Sequence, residues 1–139
     1  MRQAGITTTE ALKAELLARD PGCVAAAEAA ITRVRATGYR TLNDWRSVHW
    51  GVRYNAFDYE ETTDTDFRFS TPWSFPVPVF EALAARYSVL AFDCVCIDDG
   101  WEFGGEGVFN PRDSQQRFTL GNATEHLYVE VYGVPPEDR

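Results

Sequence analysis

Two thiols one residue apart, Cys94 and Cys96, are the first candidates for chemistry in this sequence. On a strand they share a face, and Cys23, His49 or His126 would supply a further zinc ligand. Structural zinc, however, takes cysteine pairs two to four residues apart on a turn. These two lie in the apolar run from Val89 to Ile97, where cysteine serves as a small hydrophobe. No metal and no cofactor are therefore expected. The only imidazoles, His49 and His126, sit beside no nucleophile motif, so Cys-His catalysis has no signature and no catalytic residue is assigned. Gly104-Gly105-x-Gly107 lacks the Lys-Ser/Thr of a phosphate-binding loop. Carboxylates are abundant, but acid-base work requires one of them to be withdrawn from water, and these lie in or beside polar turns. Counting from Asp58, Asp64 or Asp98 gives no calcium-loop frame.

The placement of the acid is more informative. Residues 58–66 hold Asp58, Glu60, Glu61, Asp64 and Asp66 without a base, and residues 93–106 hold Asp93, Asp98, Asp99, Glu102 and Glu106 without one. The chain carries −8 in all, as +3 through Phe57 and −11 beyond it. Such a field repels a phosphate backbone, so direct nucleic-acid binding through this part is not expected. Both acidic runs surround hairpin turns. If the hairpins project together, Glu60, Glu61, Asp64, Asp66, Asp98, Asp99, Glu102 and Glu106 form a negative rim, with Trp101, and Trp73 nearby, as apolar anchors. The rim has two readings: a solvated edge that guards a sheet against aggregation, or a surface that occupies a basic groove on a partner.

The elements that position these residues follow from periodicity. Length 139 with 45% hydrophobic and 24% charged residues fits one domain, 1–139. Thr7-Thr8-Thr9-Glu10 has capping-box spacing ahead of a helix. Asp20-Pro21 opens a second helix, with Val24, Ala27, Ile31 and Val34 on one stripe and Gly38 as its stop. Residues 1–44 are the helical part, closed by a turn at Thr41 to Asp44. A strand over Trp50 to Tyr59 and another over Phe67 to Thr71 flank the turn cluster Thr62 to Thr65. Pro76 and Pro78 open a helix with Val77, Phe80, Leu83, Ala84 and Tyr87 on one face. Val89 to Ile97, the turn Asp98-Asp99-Gly100, and Trp101 to Asn110 form a second hairpin, whose glycines indicate a bulge or a close backbone approach. Within 111–132, Gln115 to Leu120 and His126 to Tyr132 read as a further strand pair, the last segment alternatively as a short helix; 133–139 is a tail. The order predicts an α+β fold: one antiparallel sheet with helices on one face, a ferredoxin-like (split βαβ) core over 45–110 preceded by two N-terminal helices. No apolar run reaches membrane-spanning length and Met1 to Gly5 lacks a leader's apolar stretch, so a cytoplasmic protein with reduced thiols is expected.

Trp50-Gly51-Val52-Arg53-Tyr54-Asn55-Ala56, followed by Phe67-Arg68-Phe69-Ser70-Thr71-Pro72-Trp73-Ser74-Phe75-Pro76-Val77-Pro78, resembles the Api-like family, ferredoxin-like domains of unknown function carried by phages, plasmids and other mobile elements. The likeness continues through Phe80 to Tyr87 and Trp101 to Gly107. The family's Lys-Trp is here Arg53-Tyr54, and the N-terminal helices lie outside the match. The resemblance implies a fold and a mobile-element setting rather than a reaction. With the acidic rim, it leads to the expectation of a non-enzymatic protein that occupies a basic surface of a host protein or nucleoprotein complex, for instance as an anti-CRISPR inhibitor. The alternatives are a small enzyme or ligand-binding domain using a pocket of Trp50, Tyr54, Trp73 and the Cys94/Cys96 strand, or an accessory module. The residues leave the partner's identity and the oligomeric state open.

Overall fold

A computed structural model describes residues 8–137, which fall into two compact units dividing between Trp45 and Arg46. In the first, α1 (Thr9–Arg19) and α2 (Cys23–Thr37) form a helical hairpin. Thr8 caps α1 by accepting the Ala11 N–H at 3.1 Å, whereas Thr7 lies outside the described residues. Gly38, at φ 80, ends α2 in the left-handed conformation that a side chain disfavours. Neither helix buries a residue. Two helices alone present too little facing surface to enclose a core.

Thr41 to Asp44, expected as a turn, instead starts α3 (Leu42–His49). The Thr41 hydroxyl accepts the Asp44 N–H at 3.1 Å and the Asp44 carboxylate accepts the Thr41 N–H at 3.1 Å, a reciprocal helix cap. The strand expected from Trp50 begins only at Phe57. Gly51, at φ 75, turns the chain back on itself, its carbonyl accepts the Ser74 hydroxyl, and a Cβ there would come within 2.9 Å of the Pro78 ring.

The second unit is α+β, with two antiparallel sheets in place of the single one expected. β1 (Phe57–Glu61) pairs with β2 (Phe67–Ser70); β3 (Phe92–Ile97), β4 (Gly104–Phe109) and β5 (Thr119–Gly121) form the other sheet in that order. The physical reason lies in α4 (Val77–Arg86), opened by Pro76 and Pro78. Its Phe80, 5% exposed, stands between the sheets, 6.4 Å from the Phe69 ring of β2 and 5.4 Å from the Phe109 ring of β4. Aromatic packing thus joins the sheets where strand hydrogen bonds were expected. Phe75 and Phe118 extend the cluster at 4.5 Å. Asn110 fastens the far end of α4, its amide donating to the Ala84 carbonyl at 2.7 Å and the Leu90 carbonyl at 3.0 Å.

The strand expected at His126 to Tyr132 is α5 (Glu125–Tyr132), the helical alternative, with Thr124 accepting the Leu127 N–H at 3.2 Å. β5 therefore pairs with β4 instead. β3 and β4 run in unbroken register from Phe92↔Phe109 to Ile97↔Gly104, so the glycines serve close approach between backbones and not a bulge there. At Gly107, φ 130, a Cβ would come within 2.6 Å of the Phe118 Cα. Among the described residues no helix is long and apolar enough to cross a membrane.

Candidate functional site

The first acidic turn is built around Thr63, whose hydroxyl accepts the Asp66 N–H at 3.0 Å and donates to the Asp66 carboxylate at 2.8 Å. Asp66 is thereby committed to its own turn. Glu60, Glu61 and Asp64 are exposed, and among the described residues none of them forms an ion pair. The Tyr59 hydroxyl donates to Glu61 at 3.2 Å.

The second acidic turn is spent differently. Asp98 organises the loop, its carbonyl accepting the Trp101 N–H at 2.9 Å and its carboxylate the Glu102 N–H at 3.2 Å. Asp99 accepts the Tyr132 hydroxyl at 2.5 Å, and that bond, with partial burial and the nearby charge, pushes the Tyr132 phenol up to about 12. Glu106 meets the imidazole of His126 at 3.2 Å. Trp101, left-handed at φ 62, is half-buried with its ring stacked 5.5 Å from Tyr128. Of this turn, Glu102 keeps a side chain with no bond to another described residue. The exposed indole belongs to Trp73, 74% exposed and edge-on to Tyr54 at 5.9 Å.

Arg68 and Tyr132 link the two turns through the last turn of α5. The Arg68 guanidinium of β2 donates to the Val131 carbonyl, and Tyr132 reaches Asp99. A cation at a helix C-terminus satisfies carbonyls that the helix leaves open. Nothing in the sequence marked Arg68, one polar residue in an alternating strand, for this role.

A cavity of about 340 Å³ opens beside the first turn. Its wall includes Trp50, Tyr54, Tyr59, Phe67, Phe69 and Leu83, and no histidine, carboxylate or basic residue. Trp50 and Tyr54 were expected there; Trp73 and the Cys94/Cys96 strand are not part of it. The alternation of Phe67 and Phe69, opposite Tyr59, was the signal for the rest. The ring series Tyr59–Phe67–Phe69–Phe80 runs from solvent to core at 6.2, 6.0 and 6.4 Å.

Elsewhere the thiols are chemically quiet. Burial pushes Cys94 up to about 12, aided by Asp93 and Cys96, and Cys96 to about 11, so both are protonated at neutral pH. Among the described residues no three His, Cys, Asp or Glu side chains gather to hold a metal ion. No family model, curated protein or solved structure matches the chain.

Proposed function

We propose that the protein is a non-enzymatic binding module of a mobile genetic element whose first acidic turn engages a basic surface on a host protein or nucleoprotein complex, an anti-CRISPR role being one form of this. The observation that carries it is the exposed trio Glu60, Glu61 and Asp64, among the described residues free of ion pairs, next to a wall of exposed aromatic rings. Unpaired like charges on one turn repel each other, and a basic partner relieves that repulsion. The ferredoxin-like core and the Api-like setting belong to this same proposal. The Api-like setting is supported by the packing of Gly51 against Ser74 and Pro78, residues that carry the resemblance, whereas the two separate sheets depart from the single sheet of a ferredoxin-like core.

Affinity capture with the tagged full chain from host extract, read by mass spectrometry, tests it. A basic partner should be retained, lost at least tenfold when Glu60, Glu61 and Asp64 are all changed to Lys, and weakened by raising salt from 0.1 to 0.5 M, as exposed charge pairs are screened, to about 10 Å at 0.1 M. Duplex DNA should not bind at physiological salt. Undiminished capture by the charge-reversed chain, at unchanged melting temperature, refutes the reading.

A further inference from the structure

The first acidic turn and the aromatic cavity share one hairpin, and the chemistry of the pair is more specific than charge alone. The outward wall of the cavity is exposed apolar surface: Tyr59 is 63% exposed, Phe67 48% and Tyr54 45%. A solvent-open aromatic cluster of this kind is costly to leave uncovered and marks an interaction site. The cavity, about 340 Å³, is at the small end of binding-site volumes and suits one side chain better than a large ligand. Its wall carries no charge and is mostly aromatic and aliphatic, with Asn55 and Thr71 as neutral polar members, so it suits an uncharged, largely apolar group. The margin is acidic: Glu61, across from Phe67, accepts the hydroxyl of wall residue Tyr59, and Asp64 is in the adjoining turn, while Glu60 stands on the other face of the ribbon across from Arg68. No basic residue occurs from 58 to 66.

The backbone adds a third element. β1 is exposed at all five residues and among the described residues its only strand partner is β2; its register is interrupted between Phe57 and Glu60, where Asp58 is left-handed at φ 51, so the regular part of its unpaired outer edge is the end at Glu60 and Glu61. Such an edge accepts an added strand, whose alternate side chains fall on opposite faces.

We infer that this cavity is the docking site of an extended segment of the partner protein in which one aromatic side chain is flanked by lysine or arginine. The aromatic group fills the space among Trp50, Tyr54, Tyr59 and Phe67, the flanking cations meet Glu60, Glu61 and Asp64, and the segment's backbone runs along β1. The inference rests on the proposed function and names the part of the partner recognised.

Fluorescence anisotropy of labelled heptapeptides on the full chain tests it. Three probes are used: Lys-Ser-Lys-Phe-Lys-Ser-Lys, the same peptide with Phe replaced by Ser, and the same peptide with every Lys replaced by Glu. The Lys/Phe peptide should bind at least tenfold tighter than the Phe-less one, and the Glu peptide should not bind. The double variant Tyr59→Ser/Phe67→Ser should abolish the advantage of Phe, so that the Lys/Phe and Phe-less peptides bind it equally. If that variant loses its fold, Val79→Trp, which fills the cavity from α4, replaces it with the same expected result.

Equal affinity for the Phe and Phe-less peptides overturns the cavity assignment and leaves the acidic-turn reading standing. Equal affinity for the Lys and Glu peptides, or binding of none, overturns both. Sedimentation showing a concentration-dependent dimer that the same double variant converts to monomer gives the cavity to a second copy of the chain, and overturns the inference as well.

Discussion

The two hairpins of the second unit have similar acidic loops and opposite uses for them. Around β3 and β4 the acid is absorbed by the fold: Asp98 shapes its loop, Asp99 holds Tyr132, Glu106 meets His126, and Trp101 lies against Tyr128. Around β1 and β2, Glu60, Glu61 and Asp64 face solvent beside exposed rings. The difference follows from what stands behind each sheet. β3 and β4 have α5 packed against them and a third strand alongside, so their loop side chains find partners. The β1–β2 ribbon has no third strand among the described residues, and its loop side chains look outward. A local run of carboxylates therefore has no fixed role, and its neighbours decide it.

The comparison breaks first at Gly107. Gly107→Ala places a methyl group against the Phe118 backbone at a φ that side chains rarely adopt, and should cost about 1–3 kcal/mol, read as a lowered urea midpoint. A neutral result would mean that β4 and the segment before β5 are not held this closely.

A smaller effect is expected at Tyr132→Phe, about 0.5–1 kcal/mol at pH 7, since one partly exposed hydrogen bond is lost. The bond favours the protonated phenol and raises its folded pKa from 10.0 to about 12. Its contribution is thus complete below pH 10 and is lost as pH rises toward 12. Denaturation of wild type and variant across pH 8 to 12 should show the gap closing over that window. A gap constant through pH 12 would contradict the assignment.

The smallest effect sharpens the contrast. Glu60→Gln with Asp64→Asn should change stability by less than about 0.5 kcal/mol, because neither carboxylate bonds to the rest of the described fold. A loss above 1 kcal/mol by the same denaturation measurement would make the first turn structural, like the second.

The helices were legible because their signals are local. Thr8, Gly38, Pro76 and Pro78 act through backbone donors, acceptors and φ angles within a few residues, whereas Asp20, expected to open α2 with Pro21, ends α1, and α2 starts at Cys23 behind Gly22 with no side-chain cap. Thr41 to Asp44 misled because Thr and Asp serve turns and helix caps with the same hydrogen bonds, and the difference is whether the next residues continue helically. His126 to Tyr132 misled because Tyr and Val suit strands, while the Thr124 cap and the site over Gly104 for Leu127 favour a helix.

By itself the sequence determined the α+β class, the position of both acidic turns and the alternation that puts Phe67 and Phe69 on one side of a strand. Those properties depend on residue type and on periods of two or about 3.6, which are set by backbone geometry. Only the tertiary structure decided that Phe80 would part the strands into two sheets, that Arg68 would reach α5, and that Asp99 and Glu106 would be taken up by Tyr132 and His126 of α5. Each of these is a contact between residues more than ten positions apart. Such contacts are set by which surfaces bury one another, a choice that no local window of sequence contains.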